Sequence, residues 1–319
     1  MTFAPAERPN GTAAGPIPSM AFMRCAVVTG CLLAATLGSA CVVSVDSQGQ
    51  IAREEKRYTV TGTPELRLTT FDGSIEIQSW DKPDVAIDVE KRGATKEAVD
   101  ALEVKSSQQG NQIELEVKRP RSESLSGFGF QMSASARLIV SVPRDVNVIA
   151  RSGDGSIKVE RVNGRLELRT GDGSISVSDV GGELILDTGD GSITVESARG
   201  RLQVDTGDGG VNVAGRLTSV KLHTGDGSIV YRAEPGSEMS ENWDITTGDG
   251  GVTLYLPAGF GAELDAHTGD GAIRNDLDMI GGPEEERGEH RRTLRGRLGN
   301  GGKQIRVRTG DGTIRLRPS

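Results

Sequence analysis

The chain has 319 residues, a formal net charge of −8, 44 glycines and only 3% aromatic residues. That glycine share is about twice the usual one and points to a fold dense in turns, held in one large all-β domain or two ordinary ones. The acidic balance speaks against a nucleic-acid partner.

Residues 1–19 carry no targeting pattern, so Met20 and Met23 stand as alternative starts. From Met23 the chain reads "MRCAVVTGCLLAATLGSAC", a charge at Arg24 and an apolar run from Cys25 to about Ala40 ending in small residues. This is the layout of a secretory leader. The run falls short of the roughly 20 residues a membrane-spanning helix needs. "LGSAC" resembles a bacterial lipobox, departing from it at Gly38, where a bulkier aliphatic is usual. The other match, "VTGC" at Cys31, leaves an apolar run of only about six residues after Arg24. Residues 1–40 are therefore expected to be a signal peptide, with Cys41 as the lipidated first residue of an exported, membrane-anchored chain. Cleavage without lipidation is the alternative. Cys25, Cys31 and Cys41 are the three cysteines, so the mature chain keeps one and cannot form an internal disulfide.

Residues 41–56 read as a linker. Residues 57–147 read as a divergent β region, with strand-like "RYTVTG", "ELRLTT", "VAIDVEK" and "QIELEVK" and one brief helical candidate, "TKEAVDALE". A Ser/Gly-rich loop, "RSESLSGFGFQMSAS", follows. This region is expected to cap the open edge of what comes next, because unpaired end strands invite aggregation.

Residues 148–319 repeat one motif. "TGDGSI" or a close variant begins at Ser152, Thr170, Thr188, Thr206, Thr224, Thr247, Thr268 and Thr309, and a relative, "TFDGSI", begins at Thr70. The first five are 18 residues apart, which marks a repeat architecture whose units bury their apolar faces on their neighbours. Within each unit apolar and polar residues alternate with period two, the pattern of half-buried strands. Columns such as Leu166/Leu184/Leu202/Val220 and Ile157/Ile175/Ile193/Val211/Ile229 persist from unit to unit. Gly-Asp-Gly marks one bend and Gly164, Gly182 and Gly200 the other. Here glycine is expected to supply φ > 0 and aspartate to cap turn amides.

Two all-β folds satisfy the pattern. In a β-solenoid each unit of about 18 residues is one coil and like residues stack in parallel ladders. In an antiparallel meander, closing as a barrel or sandwich, each unit is a hairpin with one long apolar face and no helix to cover it. The solenoid hides that face and explains the columns, so it is the expected fold. A charged insert, "GGPEEERGEHRR", interrupts the last units within residues 281–302.

Repeated "GDGSI", the segment "LPAGFGAELDAHTGDGAI" at Leu256–Ile273, the closing "GNGGKQIRVRTGDGTIRL" and the opening "SVPRDVNVIARSGDGSI" together resemble the DUF4097 family of adhesin-like proteins over roughly residues 57–319. The resemblance implies a β-helix-like envelope protein and offers no catalytic residues.

Stacked coils place Asp154, Asp172, Asp190, Asp208 and Asp226 about 4.8 Å apart. At that spacing neighbours in water repel by about 0.9 kcal/mol before salt screening, a tolerable amount for solvated turns. Calcium prefers six to eight oxygens, and the "GGxG" step of calcium-binding repeats is missing, so turn chemistry is the expected role and weak cation binding the alternative. His223, His267 and His290 sit at tolerant or charged-loop positions. No catalytic His or Ser motif is present, and no cofactor is expected. Trp80 and Trp243 lie far apart, against the clustered aromatics and facing carboxylates of a sugar-cleaving site. Gly281–Ser319 carries ten Lys/Arg against five Asp/Glu, a basic end on an acidic chain. The expected function is a non-enzymatic, exported cell-envelope lipoprotein, facing the periplasm or the cell surface. It is read as an adhesin-like scaffold for multivalent contacts with envelope or host glycans or proteins. A carbohydrate-active solenoid enzyme is the alternative.

Overall fold

Alternating apolar residues with a glycine bend at each end make every repeat one coil of two strands, and like strands of successive coils pair in parallel. A computed structural model describes residues 40–46, 49–119, 134–280 and 292–319. Gly38–Ser319 forms one compact unit. In one coil Asn163–Thr170 runs on one face and Ile175–Ser178 on the other. The first pairs with Gly181–Thr188 and the second with the start of Ile193–Thr206, each exactly one 18-residue repeat further on, so that Leu166 meets Leu184 and Ile175 meets Ile193. The fold is the β-solenoid, not the meander.

The columns seen in the sequence are the core. Leu166, Leu184, Leu202 and Val220 are all buried, as are Ile157, Ile175, Ile193, Val211 and Ile229. Each such side chain contributes about 1.5–3 kcal/mol relative to leaving it in water. Where the repeat lengthens, the core gains aromatics: Trp243 packs 5.2 Å from Tyr231 and 5.2 Å from Phe260, ring centre to ring centre.

Order in space departs from order in sequence at both ends of the stack. Gln304–Thr309 lies between Trp243–Thr247 and Ala262–Thr268, and Ile314–Pro318 lies between Val252–Leu256 and Ile273–Asn275. The last repeat in sequence is thus an inner coil. Likewise Glu65–Thr70 sits between Gln112–Lys118 and Asn147–Ser152, and Ile75–Ser79 between Ala134–Val142 and Ile157–Glu160. The "TFDGSI" relative is therefore a full coil inside the stack and not part of a cap.

Antiparallel strands close the ends. Val85–Gly93 pairs with Ala134–Val142, Gly49–Tyr58 with Val85–Gly93, and Ala40–Asp46 with Gly49–Tyr58. In the stretch 41–56, expected as a linker, Cys41–Asp46 and Gly49–Lys56 are paired strand residues. Glu103–Gln109 covers Gln112–Lys118, and at the far end Thr293–Leu298 covers Ala262–Thr268. The helix Lys96–Asp100 forms as expected, with Thr95 accepting from the Ala98 amide at its N-terminus. Within the capping strands Glu90 is only 3% exposed, between Arg53 and Arg137 on the flanking strands. Burial opposes its ionisation, but hydrogen bonds from Arg92 and Arg53 outweigh this and hold its carboxyl below the ordinary range.

The signal peptide expected over 1–40 lies outside the described residues up to residue 39. So do most of the Ser/Gly-rich loop, at 120–133, and the core of the charged insert, at 281–291. No described helix is long and apolar enough to cross a membrane.

Leu186 is buried in mid-stack, whereas Glu183 points outward and pairs with Arg165. Leu186→Asp should lower stability by on the order of 3–5 kcal/mol by burying an unpaired charge. Glu183→Lys should cost at most about 1 kcal/mol, the worth of a surface pair. Thermal melts of the two variants check the inward assignment.

Candidate functional site: the turn ladder and the outer faces

The Gly-Asp-Gly turns stack directly on one another. The amide of Gly171 donates to the carbonyl of Gly153 at 2.5 Å, Gly189 to Gly171 at 2.6 Å, and Gly207 to Gly189 at 2.6 Å. The pattern runs on through Gly225, Gly248 and Gly310. A Cβ placed on Gly173 would stand 2.2 Å from the carbonyl oxygen of Gly155, inside any real contact distance. These glycines are thus required by the close approach of neighbouring coils, not by positive φ as the sequence suggested. Positive φ belongs to the opposite bend, at Gly164 (136°), Gly182 (119°) and Gly200 (111°).

Threonine, not aspartate, supplies the side-chain bonds of the turn. The hydroxyl of Thr170 donates to the carbonyls of Gly153 (3.2 Å) and Gly155 (2.8 Å) on the preceding coil. Thr188, Thr206, Thr224 and Thr247 repeat this toward Gly173, Gly191, Gly209 and Gly227. The ladder follows spatial order: Thr309 bonds to Gly250 and Thr268 to Gly312. All these hydroxyls are buried, and Thr224 and Thr268 are fully so. Sequence reasoning missed this role, although the near-invariant threonine before every Gly-Asp-Gly was its signal.

Asp154, Asp172, Asp190, Asp208 and Asp226 form the expected row, and all five are exposed. Among the described hydrogen bonds no turn amide donates to any of them, so the amide-capping role is corrected: the threonine hydroxyl already receives the Gly227, Gly250 and Gly312 amides in its own turns. No group of three or more His, Cys, Asp or Glu among the described residues is arranged to hold a metal ion. His223 is exposed, and His267 is exposed with Nδ1 3.0 Å from the Thr293 hydroxyl. His290 lies outside the described residues.

The two tryptophans have structural surroundings. Trp243 is fully buried in the core, and Trp80 donates its indole N–H to the Asp84 carbonyl at 2.9 Å. Near the end of the stack a hollow of about 210 Å³ is lined by Leu256, Phe260, Leu277 and Leu298, with Asp276 and Asp278 at its rim. Cys41 stands second in the strand Ala40–Asp46, opposite Glu54.

A family model described as Toastrack DUF4097 matches residues 64–317. The chain belongs to the DUF4097 family. Among solved structures, this DUF4097 chain is similar to a "putative adhesin" from Bacteroides fragilis, at 11% identity and a TM-score of 0.37, covering 84% of this chain and 97% of that one. It is also similar to a "putative cell adhesion protein" from Clostridium sporogenes, at 14% identity and TM-score 0.29, covering 84% and 100%. A third is a "putative lipid binding protein" from Parabacteroides distasonis, at 12% identity and TM-score 0.31, covering 83% and 96%. No curated protein matches the chain.

Gly173→Val should destabilise the DUF4097 solenoid far more than Asp172→Asn, since only the former forces two backbones apart. Thr206→Val should cost about 1–3 kcal/mol, because the buried glycine carbonyls of the preceding coil lose a donor. The melting temperature of the parent should not respond to chelator. A calcium-specific rise absent with sodium at matched ionic strength would overturn the turn reading.

Proposed function

We propose that this DUF4097 chain is a non-enzymatic, exported cell-envelope lipoprotein, anchored through an acylated Cys41, whose solenoid presents repeated outer rows for multivalent adhesive contacts. One observation carries the scaffold reading. The exposed aspartates Asp154, Asp172, Asp190, Asp208 and Asp226 recur on the stacked turns of successive coils, so one type of weak contact is presented repeatedly along one corner. Contacts repeated on one rigid body add as intramolecular events once the first is made. Envelope and host glycans or proteins are the partners such a surface fits.

Placement of Cys41 supports the anchor. Its strand is hydrogen-bonded into the sheet, so an acyl anchor there would hold the solenoid by its end without an intervening linker. Two or more acyl chains on one cysteine hold a protein firmly, whereas a single chain binds marginally. Cys41→Ser should move the protein from the membrane fraction to the soluble fraction, and adhesion of producing cells to a glycan array should fall with it. Unchanged membrane association in fractionation would remove the lipoprotein reading.

A further inference from the structure

On the second face of the solenoid, toward the far end of the stack, Arg232, Arg274 and Arg315 form no ion pair among the described residues, and Arg317 lies close by. Four adjacent parallel strands are involved: Ile229–Ala233, Val252–Leu256, Ile314–Pro318 and Ile273–Asn275. Register aligns Val230, Thr253, Arg315 and Arg274 in one outward row, and Arg232, Tyr255 and Arg317 in the next. Four of these seven outward positions are arginines, and the one acid beside them is Asp276, next to Arg317 at the end of the second row. Arg274 and Arg315 are direct cross-strand partners, an arrangement that like charges disfavour.

The same coils do the opposite on their other face. There Arg306 pairs with Asp244 at 3.5 Å, Arg308 with Asp265 at 2.8 Å and Arg295 with Asp265 at 3.2 Å. Earlier coils on the second face also pair their charges, Arg137 with Glu76 and Lys158 with Glu160, each at 2.7 Å. Among the described residues Arg232, Arg274 and Arg315 form no ion pair, and Arg317 reaches only Asp276, at 3.8 Å. The Arg232 guanidinium lies over the Tyr255 ring, 4.0 Å from its centre, in a cation–π contact.

We propose that this arginine face binds an extended polyanionic polysaccharide, whose carboxylate or phosphate groups lie along the two rows. On this sheet face Arg274 and Arg315 stand one strand spacing apart, about 4.8 Å, and Arg232 and Arg317 two spacings apart, about 9.6 Å, which suits a long chain carrying several anions. Guanidinium forks bind carboxylate and phosphate oxygens in pairs. The choice of polymer over the headgroups of the anchoring membrane rests on the lipoprotein reading above. From the strand of Cys41 to these four strands is nine to twelve strand steps, roughly 43 to 58 Å along the stack. An anchor at one end therefore leaves the arginine face well away from its own bilayer.

The test titrates polygalacturonate, with neutral dextran as control, into the Cys41→Ser chain by calorimetry. Polygalacturonate should bind, dextran should not, and affinity should fall as salt rises. The double variant Arg274→Gln/Arg315→Gln should weaken binding by about tenfold or more without moving the melting temperature, as both side chains point outward. Arg165→Gln, on a paired arginine of the other face, should leave affinity within about twofold. No polygalacturonate binding, or equal weakening by Arg165→Gln, would overturn the proposal. So would capture of anionic phospholipid vesicles with the polymer ignored. Binding that emerges only in Glu284→Gln/Glu285→Gln/Glu286→Gln would mean that the chain's own acidic segment fills the face, and would also overturn it. Should polymer binding fail while Cys41-dependent membrane association holds, this surface is wrong and the anchored scaffold stands.

Discussion

Backbone must meet backbone at the Gly-Asp-Gly turn, and the rest of the structure depends on that approach. Strands in adjacent coils are hydrogen-bonded neighbours, so the turns joining them must stack at the same spacing of about 4.8 Å. At Gly173 the next carbonyl is already where a Cβ would stand. A side chain there would lift two coils apart and break the ladders on both faces. Glycine at this point is a spacing requirement, and it recurs in every coil because every coil faces the same neighbour.

Threonine completes what glycine permits. A stack of bare turns would leave carbonyls buried between coils with part of their bonding capacity unused, which costs free energy. The Thr170 hydroxyl, reaching both Gly153 and Gly155, uses that capacity from inside the coil. Aspartate between the glycines then needs no partner within the protein. Its carboxylate stays in water, where the mutual repulsion of the row is small and salt screens it. The acidic row lines the corner of the solenoid, while near the far end of the stack the sheet faces on either side differ: one is laced with ion pairs, and the other carries three arginines that form none among the described residues.

Ends are the weak points of any solenoid, because the last coil exposes unpaired amides and carbonyls. This chain handles both ends alike. The outermost parallel coil at each end encloses a coil from nearer the chain's own terminus, Glu65–Ser79 on one side and Gln304–Pro318 on the other. Antiparallel strands then cover the outer edges. The last repeat is consequently held by ladders on both sides, where a simple sequential stack would leave it to fray.

Residue pattern alone determined the β-solenoid, the 18-residue coil, the inward columns from Leu166 to Val220 and the helix after Thr95, since each follows from local alternation, turn residues or a cap. It also marked the turn as special, yet assigned the wrong reasons. A glycine in a sequence does not reveal whether it serves a dihedral angle or a close approach, and a hydroxyl's partner 15 residues away is invisible until coils are stacked. Stacking order was likewise decided only in three dimensions. Coils that carry the same columns and the same turn fit any neighbour equally well, so the motif at Thr309 holds no mark that it belongs between Thr247 and Thr268. The arginine face has the same origin. Arg232, Arg274 and Arg315 are scattered along the chain, and parallel register across reordered strands is what brings them together.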